Sequence, residues 1–287
     1  MAFVVIFLIS LFASVKVTTQ GYVAKENVRN SFDAIIMNNM VFGIASLVFS
    51  LSLGKQIEPM VILYAVASGL CVAPFQIFYA LALEKGPFSA TCMIVNLSML
   101  IPIIFSLVFY GEELTILKVL GVILCFIAMF LNTKTDNTKK VSGIWIVYVI
   151  LAFLSTGMVG VVQKAFAKSQ YGSNLEQFVF FGYATAFLFT FVLILINKKK
   201  GAERNLKFTR KNVFLISFIA VLLGCYQYFS TYGNSFVDAV VLSPSTSGLT
   251  TIMQMLAGKI IFKEKFTPKQ IMAICVGISA ILITSIG

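Results

Sequence analysis

Ten long apolar runs follow one another along the chain, and they constrain its fold more than any other feature. Only 11% of the residues are charged, whereas an ordinary soluble domain has about 25%. A helix of about 20 mostly apolar residues spans the hydrocarbon layer of a membrane. The sequence therefore predicts an all-α polytopic membrane protein with ten transmembrane helices. The runs cover approximately residues 2–23, 33–53, 58–83, 88–110, 114–132, 143–166, 176–197, 212–235, 240–262 and 268–286.

Short motifs recur in the two halves and indicate an internal repeat of about 140 residues. Gln20 and Lys25 at the end of the first run return as Gln163 and Lys168 at the end of the sixth, 143 positions later. Further pairs continue this register with a slow drift: Asp33 with Glu176, Gln76 with Gln227, and Gly111–Thr115 with Lys263–Thr267. The chain accordingly divides into two five-run repeats, residues 1–136 and 141–287, joined by a polar linker.

The odd number of runs in each half determines how the two repeats are related. After five crossings the second half enters the membrane from the opposite side, so the repeats are predicted to be inverted. Inverted repeats recur in secondary transporters, whose substrate site lies near the membrane midplane between the repeats. This layout favours alternating-access transport of a small molecule.

Lysine and arginine lie mostly in the loops of one side. Loops after the odd-numbered runs hold 17 of the 22 basic residues, and the other side holds 4. The positive-inside rule places the richer side in the cytoplasm, which predicts that both termini face outward. The net charge of +11 is thus explained by membrane topology, and no binding of nucleic acid is expected.

The five-plus-five layout and the hinge Gly111–Thr115 resemble those of the drug/metabolite transporter superfamily, in its ten-helix EamA-type branch. Lys25 and Lys168, which follow the first helix of each repeat, are similar to lysines of that family. The resemblance implies export of small metabolites, amino acids among them, or of toxic compounds, across the bacterial inner membrane. It also implies cytoplasmic termini, which conflicts with the lysine and arginine count. Four-helix relatives use a glutamate in the first helix for proton coupling, whereas the first run here has no acid before Glu26.

Polar residues at helical spacing form stripes on several runs, as the wall of a water-filled cavity would require, because buried polar groups in membranes are costly without such a role. The eighth and ninth runs have the longest stripes. The predicted substrate-binding residues are Lys16, Gln20, Gln76, Tyr79, Asn96, Gln163, Tyr226, Gln227, Asn234, Ser247 and Gln254.

Each of these groups has a structural alternative. Hydroxyl and amide side chains also join membrane helices through hydrogen bonds of about 0.6 kcal/mol on average. Lys16 could hold a carboxylate or phosphate of the substrate, but the helix end is close enough for its ammonium to snorkel to the surface, and the sequence favours snorkelling. Pro244, in a run rich in serine, could be a hinge or merely a tolerated kink.

The carboxylates lie at the ends of runs, and histidine is absent from the chain. A cycle built on one buried titrating acid is therefore not expected, and neither a cofactor nor a metal is predicted. The runs supply no catalytic constellation, so the chain is not predicted to be an enzyme. The alternatives to a transporter are a membrane structural or assembly protein and, less favoured, an integral-membrane enzyme. The partners expected are a small-molecule substrate and the lipid bilayer; the sequence does not decide between monomer and homodimer.

Overall fold

Helices form all the regular secondary structure in the part of the chain that the structure describes. This computed structural model describes residues 2–51, 57–112, 115–131, 142–206, 209–261, 268, 272, 275–280 and 283. The helices are α1 (Ala2–Asn27), α2 (Ser31–Ser50), α3 (Pro59–Lys85), α4 (Phe88–Asn96), a 3-10 turn (Leu97–Met99), α5 (Leu100–Tyr110), α6 (Ile116–Leu131), α7 (Gly143–Ala167), α8 (Leu175–Lys199), α9 (Arg210–Phe236) and α10 (Ala239–Ile260).

Seven helical segments among the described residues are long and apolar enough to cross a membrane. They are α1, α2, α3, the segment Ala90–Tyr110, α7, α8 and α9. A shorter apolar stretch lies at Ile116–Ala128 in α6. The first nine predicted runs each coincide with one of these segments, with α6 or with α10, to within a few residues. The tenth run, the linker at 132–140 and the second hinge at 263–267 fall largely outside the described residues.

Local signals in the sequence explain where several helices begin and end. The side chains of Asn30, Ser142 and Thr209 each accept a hydrogen bond from the backbone N–H three residues later, which caps α2, α7 and α9. Such caps satisfy N–H groups that have no partner inside the helix. Gly111 ends α5 with φ of 60°, a left-handed conformation that glycine adopts without a steric penalty.

The principal helix contacts join the two halves of the chain. Helix α1 packs on α9 and α10, and α3 packs on α7 and α8. Helix α2 lies against α8, and α7 also contacts α4 and α5. Helices α3 and α8 approach each other closely at Gly69, where an added Cβ would collide with the carbonyl oxygen of Gly182. Each half thus supplies the packing surface of the other.

Asp33, in the first turn of α2, connects this helix to the segment between α8 and α9 through hydrogen bonds. One carboxylate oxygen accepts hydrogen bonds from the backbone N–H groups of Asn205 at 2.8 Å and Leu206 at 3.0 Å. The other oxygen accepts the N–H of Arg29 at 3.1 Å. The side chain is fully buried, so these N–H groups depend on it for their hydrogen bonds.

Replacing Asp33 by asparagine should therefore destabilise the protein. The new amide nitrogen would face at least one backbone N–H, and leaving a buried donor unsatisfied costs about 1–3 kcal/mol. We expect D33N to lower the free energy of unfolding by about 2 kcal/mol, measured by thermal unfolding in detergent. Asp238, half exposed and 3.4 Å from Lys118, provides the control, and D238N should cost less than about 1 kcal/mol. Equal effects of the two substitutions would contradict this interpretation.

Candidate functional site

A cavity of about 140 Å³ lies between helices of both halves. This space is large enough to hold several water molecules. The first half contributes α1, α3, α4, the 3-10 turn and α5, and the second half contributes α7, α9 and α10. The wall combines apolar side chains such as Val72 and Leu223 with amide, hydroxyl and phenol groups. A small polar or amphipathic molecule would find both kinds of contact there.

Ten of the eleven predicted substrate-binding residues line this cavity: Lys16, Gln76, Tyr79, Asn96, Gln163, Tyr226, Gln227, Asn234, Ser247 and Gln254. They come from six helices that are distant in sequence. Helical spacing identified them because each stripe occupies one face of its helix, and that face turns inward. Phe75, Ser98 and Thr246 also line the cavity but were not among the predicted site residues. Phe75 has no distinguishing polar signal, and the others lie beside the predicted stripes.

Gln20 is the predicted site residue that lies outside the cavity wall. It is fully buried, and neither its amide nitrogen nor its amide oxygen has a hydrogen-bond partner among the described residues. The repeat relates Gln20 to Gln163, whose amide oxygen accepts a hydrogen bond from Ser230 at 3.3 Å. The amide nitrogen of Gln163 has no such partner in the described part of the protein. The two glutamines occupy equivalent positions of the repeat, but only Gln163 lines the cavity.

Lys16 is buried in the wall of the cavity, so the snorkelling interpretation is wrong. Its side chain is only 3% exposed, and its ammonium donates a hydrogen bond to Gln76 Oε1 at 3.2 Å. The rings of Phe75 and Tyr79 lie 5.6 and 5.7 Å from the same nitrogen, within the range of cation–π attraction. The ammonium is held in place by α3 because its hydrogen bond and both rings come from that helix.

Amide and hydroxyl groups also connect facing helices across the site. Asn96 Nδ2 donates to Thr251 Oγ1 at 2.8 Å and to Gln254 Oε1 at 3.1 Å, which joins α4 to α10. Ser10 and Ser14 of α1 donate to the carbonyl oxygens of Thr246 and Thr250. These bonds show that helix joining and cavity lining coexist in the same stripes. Helix α10 continues through Pro244 rather than breaking there.

A buried ion pair that the sequence did not reveal lies beside Asn234 of the cavity wall, whose carbonyl oxygen accepts a hydrogen bond from Lys164 at 3.5 Å. Lys164 Nζ lies 2.7 Å from Glu112 Oε1, with the side chains 0% and 5% exposed. The ammonium also donates to the carbonyl oxygen of Val237 at 3.2 Å. Glu112 Oε2 accepts the backbone N–H of Ala239 at 2.8 Å. The pair therefore joins the segment that follows α5 to α7 and to the α9–α10 connection.

The environment of Glu112 favours its ionised form. Burial alone would raise the pKa of this carboxyl. The hydrogen bonds from Lys164 and from the Ala239 N–H outweigh burial and hold the pKa below its ordinary value. Glu112 is therefore a carboxylate at neutral pH and neutralises the buried lysine.

No group of three or more metal-ligating side chains occurs among the described residues. The chemistry that this wall offers is binding: hydrogen bonds from amides and hydroxyls, aromatic faces and one ammonium.

The model of the EamA-like transporter family matches residues 2–134 and 143–286 of the chain, once for each half. A solved structure described only as "Crystal structure of protein" superposes with a TM-score of 0.72. The superposition covers 99% of this chain and 96% of that one, at 15% sequence identity, so the likeness concerns the fold alone. The comparison with curated proteins gave no match.

Proposed function

Because the chain belongs to the EamA-like transporter family, and such proteins are membrane transporters of small molecules, we propose that it moves a small polar or amphipathic, amino-acid-like metabolite across the bacterial inner membrane. The proposed mechanism is alternating access, and the proposed direction is export. The observation that supports this best is the cavity between the two halves, whose wall includes the ten predicted polar or aromatic side chains from six helices.

The arrangement we propose is ten transmembrane helices in two inverted five-helix repeats, with residues 1–136 forming the first and 141–287 the second. The helix contacts support it, because they recur when each helix is exchanged for its counterpart in the other half. Helix α1 packs on α9 as α7 packs on α3. Likewise α1 packs on α10 as α7 packs on α4 and α5. Two repeats related in this way can rock about the shared cavity and expose it to either side.

The two termini are proposed to face outward. Lys25, Arg29, Arg204 and Lys211 lie at the end of the helix array where α1 ends and α9 begins, and Lys198–Lys200 at the end of α8 are on the same side. The opposite end holds fewer basic side chains, and one of them, Lys164, is neutralised by Glu112. The positive-inside rule assigns the basic end to the cytoplasm.

Flux through purified protein in liposomes tests the proposed function. We expect at least one compound in a panel of amino acids, small carboxylic acids and their amides to be transported. Replacing Gln254 by leucine, which keeps the volume but removes a cavity amide that is 2% exposed, should reduce that flux about tenfold. Gln254 accepts the hydrogen bond from Asn96, so the loss would also leave a donor of the site unpaired.

The control is Asn197→Leu, which removes an amide near the end of α8 whose hydrogen bond goes to the carbonyl of Leu193 in its own helix. That variant should transport as the wild type does. If no compound of the panel is bound or transported, the function proposed here is wrong. A cysteine introduced as Gln76→Cys, in a chain lacking its natural cysteines, should react with a small aqueous thiol reagent, and failure to react would favour the structural or assembly role.

A further inference from the structure

Lys16 and Lys164 are the two most deeply buried lysines among the described residues, and their electrostatic environments differ. Lys164 is fully buried and has the Glu112 carboxylate at 2.7 Å. Lys16 is 3% exposed, and none of the ion pairs formed by the described residues includes it. Its hydrogen-bond partner is the neutral amide oxygen of Gln76. The protein thus neutralises one buried ammonium internally and leaves the other facing the cavity.

The other described residues of the cavity wall carry no charge. They are amides, hydroxyls, phenols, apolar groups and a proline. A buried charge is costly unless it is paired, and charged groups inside membranes almost always pair with one another or mark a substrate path. The rings of Phe75 and Tyr79 and one amide oxygen compensate the ammonium only in part. Lysine has three N–H donors, so further acceptors can be accommodated.

We propose that Lys16 binds the carboxylate of the transported substrate, so that the transported molecule is a small monoanionic or zwitterionic carboxylic acid. This inference rests on the proposed transport function and adds the charge class of the substrate. The anion supplies the missing counter-charge, and the hydrogen bond to Gln76 keeps the ammonium on the cavity side of α1.

The charge count also favours one negative charge over two. A single ammonium pairs with one carboxylate, whereas a phosphate dianion would bring a second negative charge for which the described wall residues offer no second cation. The space of about 140 Å³ suits a small acid rather than a drug-sized molecule, since sites for the latter have volumes of about 300 Å³ or more. The aromatic side chains Phe75, Tyr79 and Tyr226 provide surfaces for an apolar portion of the substrate.

The test compares acids with their amides on the purified full chain in detergent, at constant ionic strength. The probes are sodium acetate, sodium butyrate, sodium 4-methylpentanoate and L-leucine, each matched with its amide, and inorganic phosphate forms a separate arm. Ligands that bind the folded state raise its melting temperature. We expect at least one acid to raise the melting temperature while its amide does not, and phosphate to have a smaller effect than that acid.

Lys16→Met should weaken binding of that acid roughly 10- to 100-fold, the loss expected for a hydrogen bond to a charged group. The ligand-free variant should melt at or above the temperature of the wild type, because an uncompensated buried charge has been removed. Lys16→Arg, which retains the charge, should retain the preference for the acid over the amide. Lys200→Met, in an exposed position after α8, is the control and should behave as the wild type does.

The inference is overturned if no acid raises the melting temperature of the wild type, if amides act as well as acids, or if Lys16→Met keeps the acid-dependent rise. Should Lys16→Met fail to fold, the acid-to-amide preference of the wild type and of Lys16→Arg decides the question. Liposome flux separates the two proposals. Flux of neutral or cationic compounds alone would overturn the anion site while the transport function stands. Acid binding that needs Lys16, without flux of any compound, would overturn transport while the anion site stands.

Discussion

Replacing Glu112 by glutamine is expected to lower the free energy of unfolding by about 3–5 kcal/mol, the usual cost of removing one partner of a buried ion pair. The substitution keeps the shape of the side chain but removes the charge that neutralises Lys164, whose own side chain is 0% exposed. The carbonyl oxygens of Asn234 and Val237 would remain as its neutral partners. For a protein of this size the change corresponds to a fall in melting temperature of roughly 10 °C.

The double variant Glu112→Gln/Lys164→Met gives the matched control for this prediction. With both charges absent, no ammonium remains unpaired, and most of the lost stability should return. Thermal unfolding of the wild type, both single variants and the double variant forms a complete cycle. If the losses of the single variants simply add in the double variant, the two residues are not coupled and the prediction is wrong.

The pH dependence of the free energy of unfolding should also reflect the ionisation of Glu112. The folded-state pKa of Glu112 is lowered, so its contribution is fully present above the ordinary value of about 4.3. It is lost as the pH falls through the lowered folded-state pKa. The melting temperature of the wild type should therefore fall more steeply on acidification than that of the double variant, which lacks this group.

Replacing Gly69 by alanine is expected to destabilise the protein by about 3 kcal/mol, at the upper end of the range for overpacking. A Cβ at this position would be 2.4 Å from the carbonyl oxygen of Gly182 and 2.8 Å from Cβ of Thr185. A backbone oxygen cannot move aside as a flexible side chain does. Helices α3 and α8 would have to separate, which would disturb contacts between the halves. The measurement is the melting temperature in detergent.

Gly182→Ala, at the same helix crossing, is the control for this prediction. Its Cβ would lie 3.5 Å from the carbonyl oxygen of Ala65, an ordinary contact distance. Alanine in a helix interior is favoured over glycine by about 0.5–1 kcal/mol, so this variant should be as stable as the wild type or slightly more stable. Equal destabilisation by both substitutions would show that helix separation at Gly69 is not the cause.

The helices and much of the cavity wall could be predicted from the sequence because their signals are local. Apolar runs show where membrane helices lie, and the spacing of Gln227, Ser230 and Asn234 shows which side of α9 is polar. The residues on the neighbouring helices did not need to be known, because polar stripes on membrane helices almost always face the interior of the bundle or a water-filled cavity. The matching amides of the repeat, such as Gln76 and Gln227, added a second independent signal.

Pairings across the chain could not be predicted in this way. Glu112 and Lys164 both lie near the ends of runs, where charged residues are common, and only the fold brings them to 2.7 Å. For Lys16 the sequence allowed snorkelling, because the helix end is close. Its contacts with Gln76, Phe75 and Tyr79 of the neighbouring helix α3 keep the side chain buried instead. Gln20 and its repeat counterpart Gln163 are both buried, but only Gln163 lines the cavity, a difference that their shared residue type does not indicate.

The packing of each half mainly against the other has a consequence for biosynthesis. When α1, α2 and α3 leave the ribosome, their principal neighbours α7, α8 and α9 have not yet been made. Asp33, Lys16 and the other polar side chains of the early helices therefore enter the bilayer or the insertion machinery before the helices of the second half are present. The nascent first half is consequently a loose intermediate, and the tertiary structure can be completed only after the last helices have been synthesised.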